Sequence, residues 1–237
     1  MATHDAEDYN TQGIASYKAE DFHIAVTSYQ KALDCFPSIE LSDEQNELRL
    51  YILSNQMQAL LKMPNTSFVG VRKKLEAAIR QQGGKTVDSR LMAKALYHLA
   101  CSYYLDGEYS AAAVILVTCT SYEDNHQKEE IEQLTRECSK IFLCNYHGAV
   151  IGSASDLKIA DTTDRCTCCD KKYNFDDDCI RLSCEHKFHQ LCMLWLCFLG
   201  EAKCPICGIQ MREIVTSSVG TVIELVSRIA RLKARGP

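Results

Sequence analysis

The chain has 237 residues, which is enough for one large domain or two modest ones. Hydrophobic residues make up 46% and charged residues 24% of the sequence, as in an ordinary globular protein, so a disordered chain is not expected. The formal net charge of -5 argues against a nucleic-acid-binding protein, which usually carries a basic face.

The first residues, MATHDAEDYN, show no basic segment followed by an apolar one, so no secretory signal is expected. The longest apolar run, Leu191 to Leu199, is shorter than the roughly 20 residues that a membrane span needs. Fourteen cysteines in such a chain are expected to be thiols and metal ligands rather than disulfides. We therefore expect a protein of the cytoplasm or the nucleus, with no membrane span.

A helical hairpin is predicted at the start of the chain, over residues 6 to 37. Small residues at Gly13 and Ala25 would let two helices cross closely, and Pro37 would end the second helix because proline cannot continue it. The pattern is carried by Tyr9, Gly13, Ala25, Tyr29, Ala32 and Pro37.

Two further hairpins and a last helix are predicted downstream. Residues 93 to 122 repeat the pattern, with a turn at Asp106-Gly107. Leu50 to Met63 and Phe68 to Arg80 are expected to form a less regular pair, preceded by a capping box at Ser42-x-x-Gln45. A seventh helix, over about 127 to 146, is expected to cap the array with an apolar stripe made of Ile131, Leu134, Cys138, Ile141 and Phe142.

The hairpins are similar to the tetratricopeptide repeat, a helix pair of about 34 residues. The resemblance implies an α-helical solenoid that binds peptides or proteins on the face made by the first helices; an unrelated helical bundle is the alternative. One subclass of the family clamps acidic chaperone tails with Lys and Asn side chains. Asn55 and Lys94 match that clamp, but Asn10, Ile14 and His98 depart from it, so chaperone tails are not the expected ligand.

Residues 147 to 164 are small, polar and weakly patterned, so they are expected to be a linker. Within this stretch, Val150-Ile151 or Leu157-Ile159 could dock on either neighbouring domain.

The next stretch holds eight potential metal ligands in four close pairs. Cys166-x2-Cys169 is followed by Cys184-x-His186, His189-x2-Cys192 and Cys204-x2-Cys207. Two ligands so close in sequence can reach one ion from a single turn, so four pairs predict two tetrahedral sites. Thiolates combined with imidazole favour zinc over magnesium or calcium. We therefore expect two structural zinc ions per chain.

The stretch from 165 to 211 resembles the RING domain of ubiquitin ligases, in the class whose fourth and fifth ligands are both histidine. In that family the ligand pairs alternate between the two ions. The resemblance implies a first site made of Cys166, Cys169, His189 and Cys192 and a second site made of Cys184, His186, Cys204 and Cys207. Both sites would be full, so neither ion would be a catalytic metal.

Two other zinc folds fit the sequence less well. A PHD finger carries a bulky aromatic residue two positions before the seventh ligand, where this chain has Ala202. Trp195 instead lies three residues after the sixth ligand, as in RING domains. A LIM domain pairs its ligands sequentially, usually over longer intervals. The RING domain is therefore favoured.

Two more cysteines lie close to the ligands. Cys168 precedes Cys169 and is either a contact thiol or an alternative ligand, of which we favour the contact. Cys179 lies in Asp178-Cys179-Ile180-Arg181-Leu182, where RING domains often have an apolar strand residue, so it is expected in the core.

The resemblance also implies how the protein would work. RING ligases bind a ubiquitin-charged conjugating enzyme and position its thioester against a substrate lysine, which is catalysis by proximity. The matching docking residues here are Cys168, Trp195 and Pro205. Many active members have Arg or Lys directly after the eighth ligand, but this chain has Gly208.

Residues 212 to 237 are expected to hold a short strand at Ile214-Val215 and an amphipathic helix from Thr221 to Arg235. The helix has a basic end, which suits its negative dipole end. It would either pack on the zinc module or form a partner contact, such as a homodimer.

We therefore predict a mostly α chain with a tetratricopeptide-like helical solenoid over 1 to 146, followed by the linker, a small zinc-stabilised α+β RING domain and a C-terminal helix. The expected function is a RING-type ubiquitin ligase whose repeats recruit a protein substrate. The alternative is a non-catalytic zinc-binding scaffold that assembles protein complexes.

Overall fold

The computed structural model describes residues 2–37, 41–82, 88–120, 122, 128–144, 150–157, 165–174, 176–190, 192–193, 196, 203–209 and 226. Over these residues the chain is mostly helical with one small antiparallel sheet, so the predicted helical character of the N-terminal region is confirmed. The helices described are α1 (Ala2–Lys18), α2 (Phe22–Asp34), α3 (Asp43–Leu60), α4 (Val69–Gln81), α5 (Ser89–Leu105), α6 (Tyr109–Cys119) and α7 (Lys128–Cys144).

Helices α1 and α2 cross closely at a glycine, as the small residue there predicted. A Cβ atom added to Gly13 would lie 2.5 Å from Cε1 of Tyr29, so no larger side chain fits without moving the ring. Tyr29 is buried together with Ala25 and Ala32 on α2. Close packing at this point therefore fixes the geometry of the first hairpin.

Helix α3 begins seven residues earlier than the apolar pattern from Leu50 predicted. The predicted capping box is present: the Ser42 hydroxyl accepts a hydrogen bond from the backbone N–H of Gln45, and the Gln45 side chain accepts one from the backbone N–H of Ser42. The cap satisfies backbone donors that the first helical turn leaves unpaired. The helix therefore includes the polar residues from Asp43 onward, which the apolar stripe alone could not place.

Helix α6 is the most deeply buried of the described helices. All of its residues from Ser110 to Cys119 are buried, and it packs between α5 and α7. A helix that is apolar on all sides is stable only where neighbours cover every face. The seventh helix, predicted over about 127 to 146, is described as α7 and provides part of that cover.

Polar contacts join α4 to α5. The Tyr103 hydroxyl donates a hydrogen bond to the buried Glu76 carboxylate, and Arg72 lies over the Tyr103 ring at 4.2 Å from its centroid. Arg72 also donates to the Ser102 carbonyl at 2.9 Å and pairs with Asp106. A buried carboxylate needs such partners to offset the loss of water.

Three strands form the sheet, in the order β1 (Val150–Ser153), β2 (Asp178–Arg181) and β3 (Lys187–His189), with both pairings antiparallel. Strand β1 lies within the interval predicted as a linker, which therefore carries sheet structure that the sequence pattern did not indicate. Ile180 and Phe188 face each other across β2 and β3, and both are fully buried.

Helix α7 meets the sheet. It contacts β1, and the guanidinium Nε of Arg136 lies 3.6 Å from an oxygen of Asp178 at the start of β2. Buried side chains run without a break from helices α3 to α7 into the sheet and the ligand-rich loops. Among the described helices, none is long and apolar enough to cross a bilayer.

Several predicted features fall outside the described residues. These are Trp195 and most of the apolar run Leu191 to Leu199, the strand at Ile214-Val215, and the helix from Thr221 to Arg235 apart from Val226, which is helical and buried.

Candidate metal centres

The eight predicted ligands gather into two groups of four. Cys166, Cys169, His189 and Cys192 form the first cluster. Cys184, His186, Cys204 and Cys207 form the second cluster. In each cluster the four ligand atoms lie within 4.8 Å of one another, so each could hold a metal ion. The grouping interleaves along the chain, since each cluster joins two pairs that another pair separates in sequence.

Four of the thiols lie in two loops that share one pattern of backbone hydrogen bonds. In the first loop the backbone N–H of Asp170 donates to the Cys166 carbonyl at 2.8 Å, and that of Cys166 donates to the Lys171 carbonyl at 3.0 Å. In the second loop the matching bonds run from Gly208 to Cys204 at 2.8 Å and from Cys204 to Ile209 at 2.9 Å.

The turn in each of these loops depends on one residue with positive φ, at 56° for Asp170 and 71° for Gly208. Such a left-handed residue lets the chain double back so that both thiols of a Cys-x2-Cys pair point to one side. Backbone hydrogen bonds therefore hold each pair of sulfur ligands in its loop.

The distances between ligand atoms fit a tetrahedral zinc ion. With zinc–sulfur and zinc–nitrogen bonds of the usual length, an Sγ atom and a histidine nitrogen are about 3.6 Å apart. The Cys169 Sγ atom lies 3.3 Å from Nδ1 of His189. In the second cluster Nδ1 of His186 lies 3.4 Å from the Cys184 Sγ and 3.6 Å from the Cys204 Sγ. Three thiols and one imidazole form a donor set that suits zinc.

Each cluster contains one thiol that the protein itself makes more acidic. Burial opposes ionisation of Cys166, but hydrogen bonds to the backbone of His189, Cys168 and Cys169 outweigh it and lower the pKa of the thiol to about 6. A hydrogen bond from the backbone of Ile209 lowers the pKa of the Cys207 thiol to about 7. Burial raises the pKa of another thiol in each cluster, Cys192 in the first and Cys184 in the second. Because metal binds the thiolate, Cys166 and Cys207 are the thiols most ready to bind an ion near neutral pH.

The imidazole of His189 has a carboxylate on the side away from its cluster. Its Nε2 atom lies 3.2 Å from an oxygen of Asp177. Partial burial raises the pKa of Asp177, but hydrogen bonds from the backbone and side chain of Asn174 outweigh this and leave it below its ordinary value. Asp177 belongs to no motif that the sequence shows. The only signal was an acidic residue in the loop before β2, and several of its neighbours share that property.

Cys168 and Cys179 have different surroundings. Cys168 is exposed and belongs to neither cluster, although it follows Cys166 by only two residues. Cys179 is fully buried with Ala154 and Leu157, so its predicted place in the core is confirmed.

Pro205, which the resemblance places on the docking surface, is exposed in the second loop. The same loop carries two exposed isoleucines, Ile206 and Ile209, with 48% and 51% of their surface accessible. This pair was not predicted from the sequence, although Ile206 lies between the two last ligands. Trp195, the third member of the predicted surface with Cys168, lies outside the described residues.

A cleft separates α7 from the first cluster. It is lined by Arg136 on α7 and by Asp176, His189 and Gln190 on the opposite wall. Gln190 is buried, and within the described part of the chain its Nε2 atom has no hydrogen-bond partner. Arg136 and Asp178, which form an ion pair, both line the cleft.

A row of polar side chains crosses the first helices of the three hairpins. Lys94 on α5 donates to the Asn55 side chain on α3 at 2.8 Å, and Asn55 donates to Asn10 on α1 at 3.4 Å. The Lys94 ammonium also lies 5.4 Å from the centroid of the Tyr51 ring. Burial lowers the pKa of Lys94.

His98, one turn after Lys94, belongs to the core. Its Nδ1 atom lies 3.0 Å from both the hydroxyl and the carbonyl oxygen of Ser54. Burial, with a smaller contribution from Lys94, lowers the pKa of His98 to about 3, so the ring is neutral. A neutral, buried imidazole supports the expectation that this position does not bind an acidic tail.

A scan of the chain against models of known protein families finds no match.

Proposed function

We propose that this chain is a RING-type ubiquitin ligase in which a tetratricopeptide-like solenoid recruits the substrate. The observation that carries the proposal is the interleaving of the two Cys/His clusters, because alternating ligand pairs are the arrangement of the RING family that the sequence resembles. In this proposal each cluster holds one structural zinc ion, with no open coordination position for a reacting group.

The zinc ions would supply stability rather than chemistry. A segment as short as 165 to 211 buries too little apolar surface to be stable alone, and bound zinc makes up the difference. Held in this way, the second loop presents Pro205, Ile206 and Ile209 as a rigid apolar surface. Preorganised apolar residues of this kind are suited to anchor a partner protein.

That partner would be a conjugating enzyme that carries ubiquitin as a thioester. The amine of a substrate lysine attacks the thioester carbonyl, an amide bond forms, and the cysteine thiol of the conjugating enzyme leaves. This chain forms no covalent bond during the transfer and contributes proximity and orientation. The first-helix face of α1, α3 and α5 would hold the substrate close to the thioester.

The polar row on that face supports a role in recruitment. Lys94 bonds to Asn55 and lies near Tyr51, and the part of the chain that the structure describes offers it no carboxylate partner. A partly buried ammonium without a counter-charge gains free energy when a partner supplies one. We therefore expect a substrate segment that places a carboxylate at Lys94.

The decisive experiment is a ubiquitin-chain assay with purified activating enzyme and a broad panel of conjugating enzymes. We expect zinc-dependent chain formation with at least one of them. Ile206→Ala should reduce the rate about tenfold, which corresponds to the loss of about 1.4 kcal/mol of docking free energy at an anchor residue. Ile24→Ala is the matched control, because Ile24 is a similarly exposed isoleucine on α2, and it should leave the rate unchanged.

The absence of zinc-dependent transfer with every conjugating enzyme tested would contradict the proposal. It would favour the second candidate, a non-catalytic scaffold. That candidate has support of its own in Gly208, which places no basic side chain after the last ligand, and in Cys168, which is shorter than the usual aliphatic docking residue. A scaffold would retain stable partners in pull-downs after Trp195→Ala and would lose no ubiquitin transfer.

A further inference from the structure

The two histidine ligands are held in different ways, although both present Nδ1 to their clusters. The ring of His189 is fixed on three sides. Its Nδ1 faces Cys169 at 3.3 Å, its Nε2 faces Asp177 at 3.2 Å, and its centroid lies 4.6 Å from that of the Tyr173 ring. The Tyr173 hydroxyl in turn donates to the Lys187 carbonyl at 2.7 Å, which attaches that ring to β3.

Asp177 is itself fixed before it meets the histidine. The backbone N–H of Asn174 donates to one carboxylate oxygen at 2.6 Å, and the Asn174 side chain donates to the other at 3.3 Å. The backbone N–H of Asp177 also donates to the Asn174 carbonyl at 3.1 Å. These bonds close a short turn that aims the carboxylate at Nε2 of His189.

His186 in the second cluster has no comparable support within the described residues. Its Nδ1 faces Cys184 and Cys204, but no described residue offers an acceptor to its Nε2. The neighbours of Asp177 do not duplicate its role either. Asp178 pairs with Arg136, and Asp176 is exposed.

A carboxylate that accepts the Nε2 proton has two effects on a metal-binding imidazole. It selects the tautomer whose Nδ1 lone pair is free for the ion, and it makes that nitrogen a stronger donor. Removal of such a partner commonly lowers metal affinity about 10- to 100-fold.

We propose that Asp177 is a positioning residue for the first site, and that it makes the two sites unequal. The first site binds zinc more tightly, and the second site releases its ion first. This inference rests on the proposed zinc binding, but it does not require ubiquitin transfer.

The wild-type protein tests the proposal without any substitution. Nitrogen-15 NMR of the zinc-loaded full chain should show His189 with zinc on Nδ1 and a proton on Nε2. During stepwise addition of a zinc chelator, the bound signals of His186 should disappear before those of His189. Loss of both together, or of His189 first, would overturn the proposal, as would zinc on Nε2 of His189.

Variants then assign the difference to Asp177. In competition with a chromogenic chelator, Asp177→Ala should lower first-site affinity about 10- to 100-fold and leave the second site unchanged. Asp177→Asn keeps an acceptor oxygen and should recover part of the loss, together with the wild-type tautomer. Asp176→Ala, which removes a neighbouring exposed carboxylate, should match the wild type. Equal affinity in Asp177→Ala and wild type would overturn the proposal.

Failure of the inference and failure of the proposed function give different results. Two zinc ions of equal affinity would refute the role of Asp177 and leave the ligase proposal standing. A chain that binds no zinc would refute both. If Asp177→Ala fails to form the sheet, which the cross-strand NMR contact between Ile180 and Phe188 reports, the order of zinc loss in the wild type still decides.

Discussion

Gly208 follows the last predicted zinc ligand, at a position where two requirements conflict. Its φ of 71° favours glycine, whereas the resemblance favours a basic side chain at this position. Space is not the obstacle, since a Cβ atom added there would meet nothing within 4 Å. The matching residue of the first loop, Asp170, adopts the same backbone conformation with a side chain.

Gly208→Arg should therefore fold and raise the proposed ligase activity. The left-handed conformation costs a non-glycine residue about 1 to 2 kcal/mol, which the hydrogen-bonded loop should tolerate. A charge-assisted contact to ubiquitin is worth about 1.5 to 3 kcal/mol, so single-turnover transfer should rise about tenfold. Gly208→Ala introduces the same backbone strain without the charge and should show no gain. If Arg and Ala behave alike, the missing charge is not what limits transfer.

His98 gives the helical domain a pH dependence of known sign. The pKa of the buried ring is about 3, while that of an unfolded histidine is about 6.5. Between these values only the unfolded chain takes up the proton, so the free energy of unfolding falls as pH falls, by at most about 1.4 kcal/mol per unit. The stability is present above pH 6.5 and is lost as pH decreases toward 3.

The measurement is urea unfolding of the helical signal at pH 7 and at pH 5, for wild type and His98→Asn. The asparagine amide keeps a donor near the position of Nδ1 but does not titrate. Wild type should lose about 2 kcal/mol more than the variant between the two pH values. An identical pH response in the two proteins would show that His98 is not the group that titrates.

Among the elements, the crossing of α1 and α2 depends on the absence of a side chain at Gly13. The Tyr29 ring fills that space and is itself buried, so it has little freedom to move. Gly13→Ala should destabilise the protein by about 1 to 3 kcal/mol, the usual cost of overpacking a core.

Gly70 on α4 is the matched control for this substitution. It is exposed, and a Cβ atom there would meet nothing within 4 Å. Gly70→Ala should stabilise the protein by about 0.5 kcal/mol, because alanine loses less entropy in a helix. Thermal unfolding followed by circular dichroism gives both values. If the two substitutions have the same sign, the close helix crossing does not set the stability of the first hairpin.

The elements also show what the sequence could and could not predict. Helices were predictable where apolar spacing or a local cap defines them, as with Ser42 and Gln45 at the start of α3. Strand β1 was not, because Val150 to Ser153 has no clear alternation and becomes a strand only by pairing with β2, far along the chain. The contact of Asp177 with His189 could not be predicted either, because a turn and a sheet bring the two residues together.

In the whole molecule, α7 joins two parts that are expected to be stabilised in different ways. The helical hairpins are held by apolar packing, whereas the sheet and its loops are expected to need metal. The two parts share a continuous core, the contact of α7 with β1, and the ion pair of Arg136 with Asp178. Removal of metal should therefore destabilise mainly the sheet and its loops, and to a smaller extent α7.

A strong zinc chelator should unfold the metal-binding segment, residues 165 to 211, and leave most of the helical structure in place. Circular dichroism at 222 nm should retain the larger part of its amplitude, while the NMR signals of Ile180 and Phe188 lose their dispersion. The same chelator saturated with zinc is the control and should change nothing. Loss of the entire helical signal would mean that the helical hairpins do not remain folded without the metal-binding part.

We propose that the two Cys/His clusters are two separate zinc sites within one fold. Native mass spectrometry of the purified chain tests it most directly, because it counts bound ions without assuming any activity. We expect two zinc ions per chain, falling to one when Cys204 and Cys207 are both replaced by serine. A wild-type chain that carries one zinc ion, or none, would contradict it.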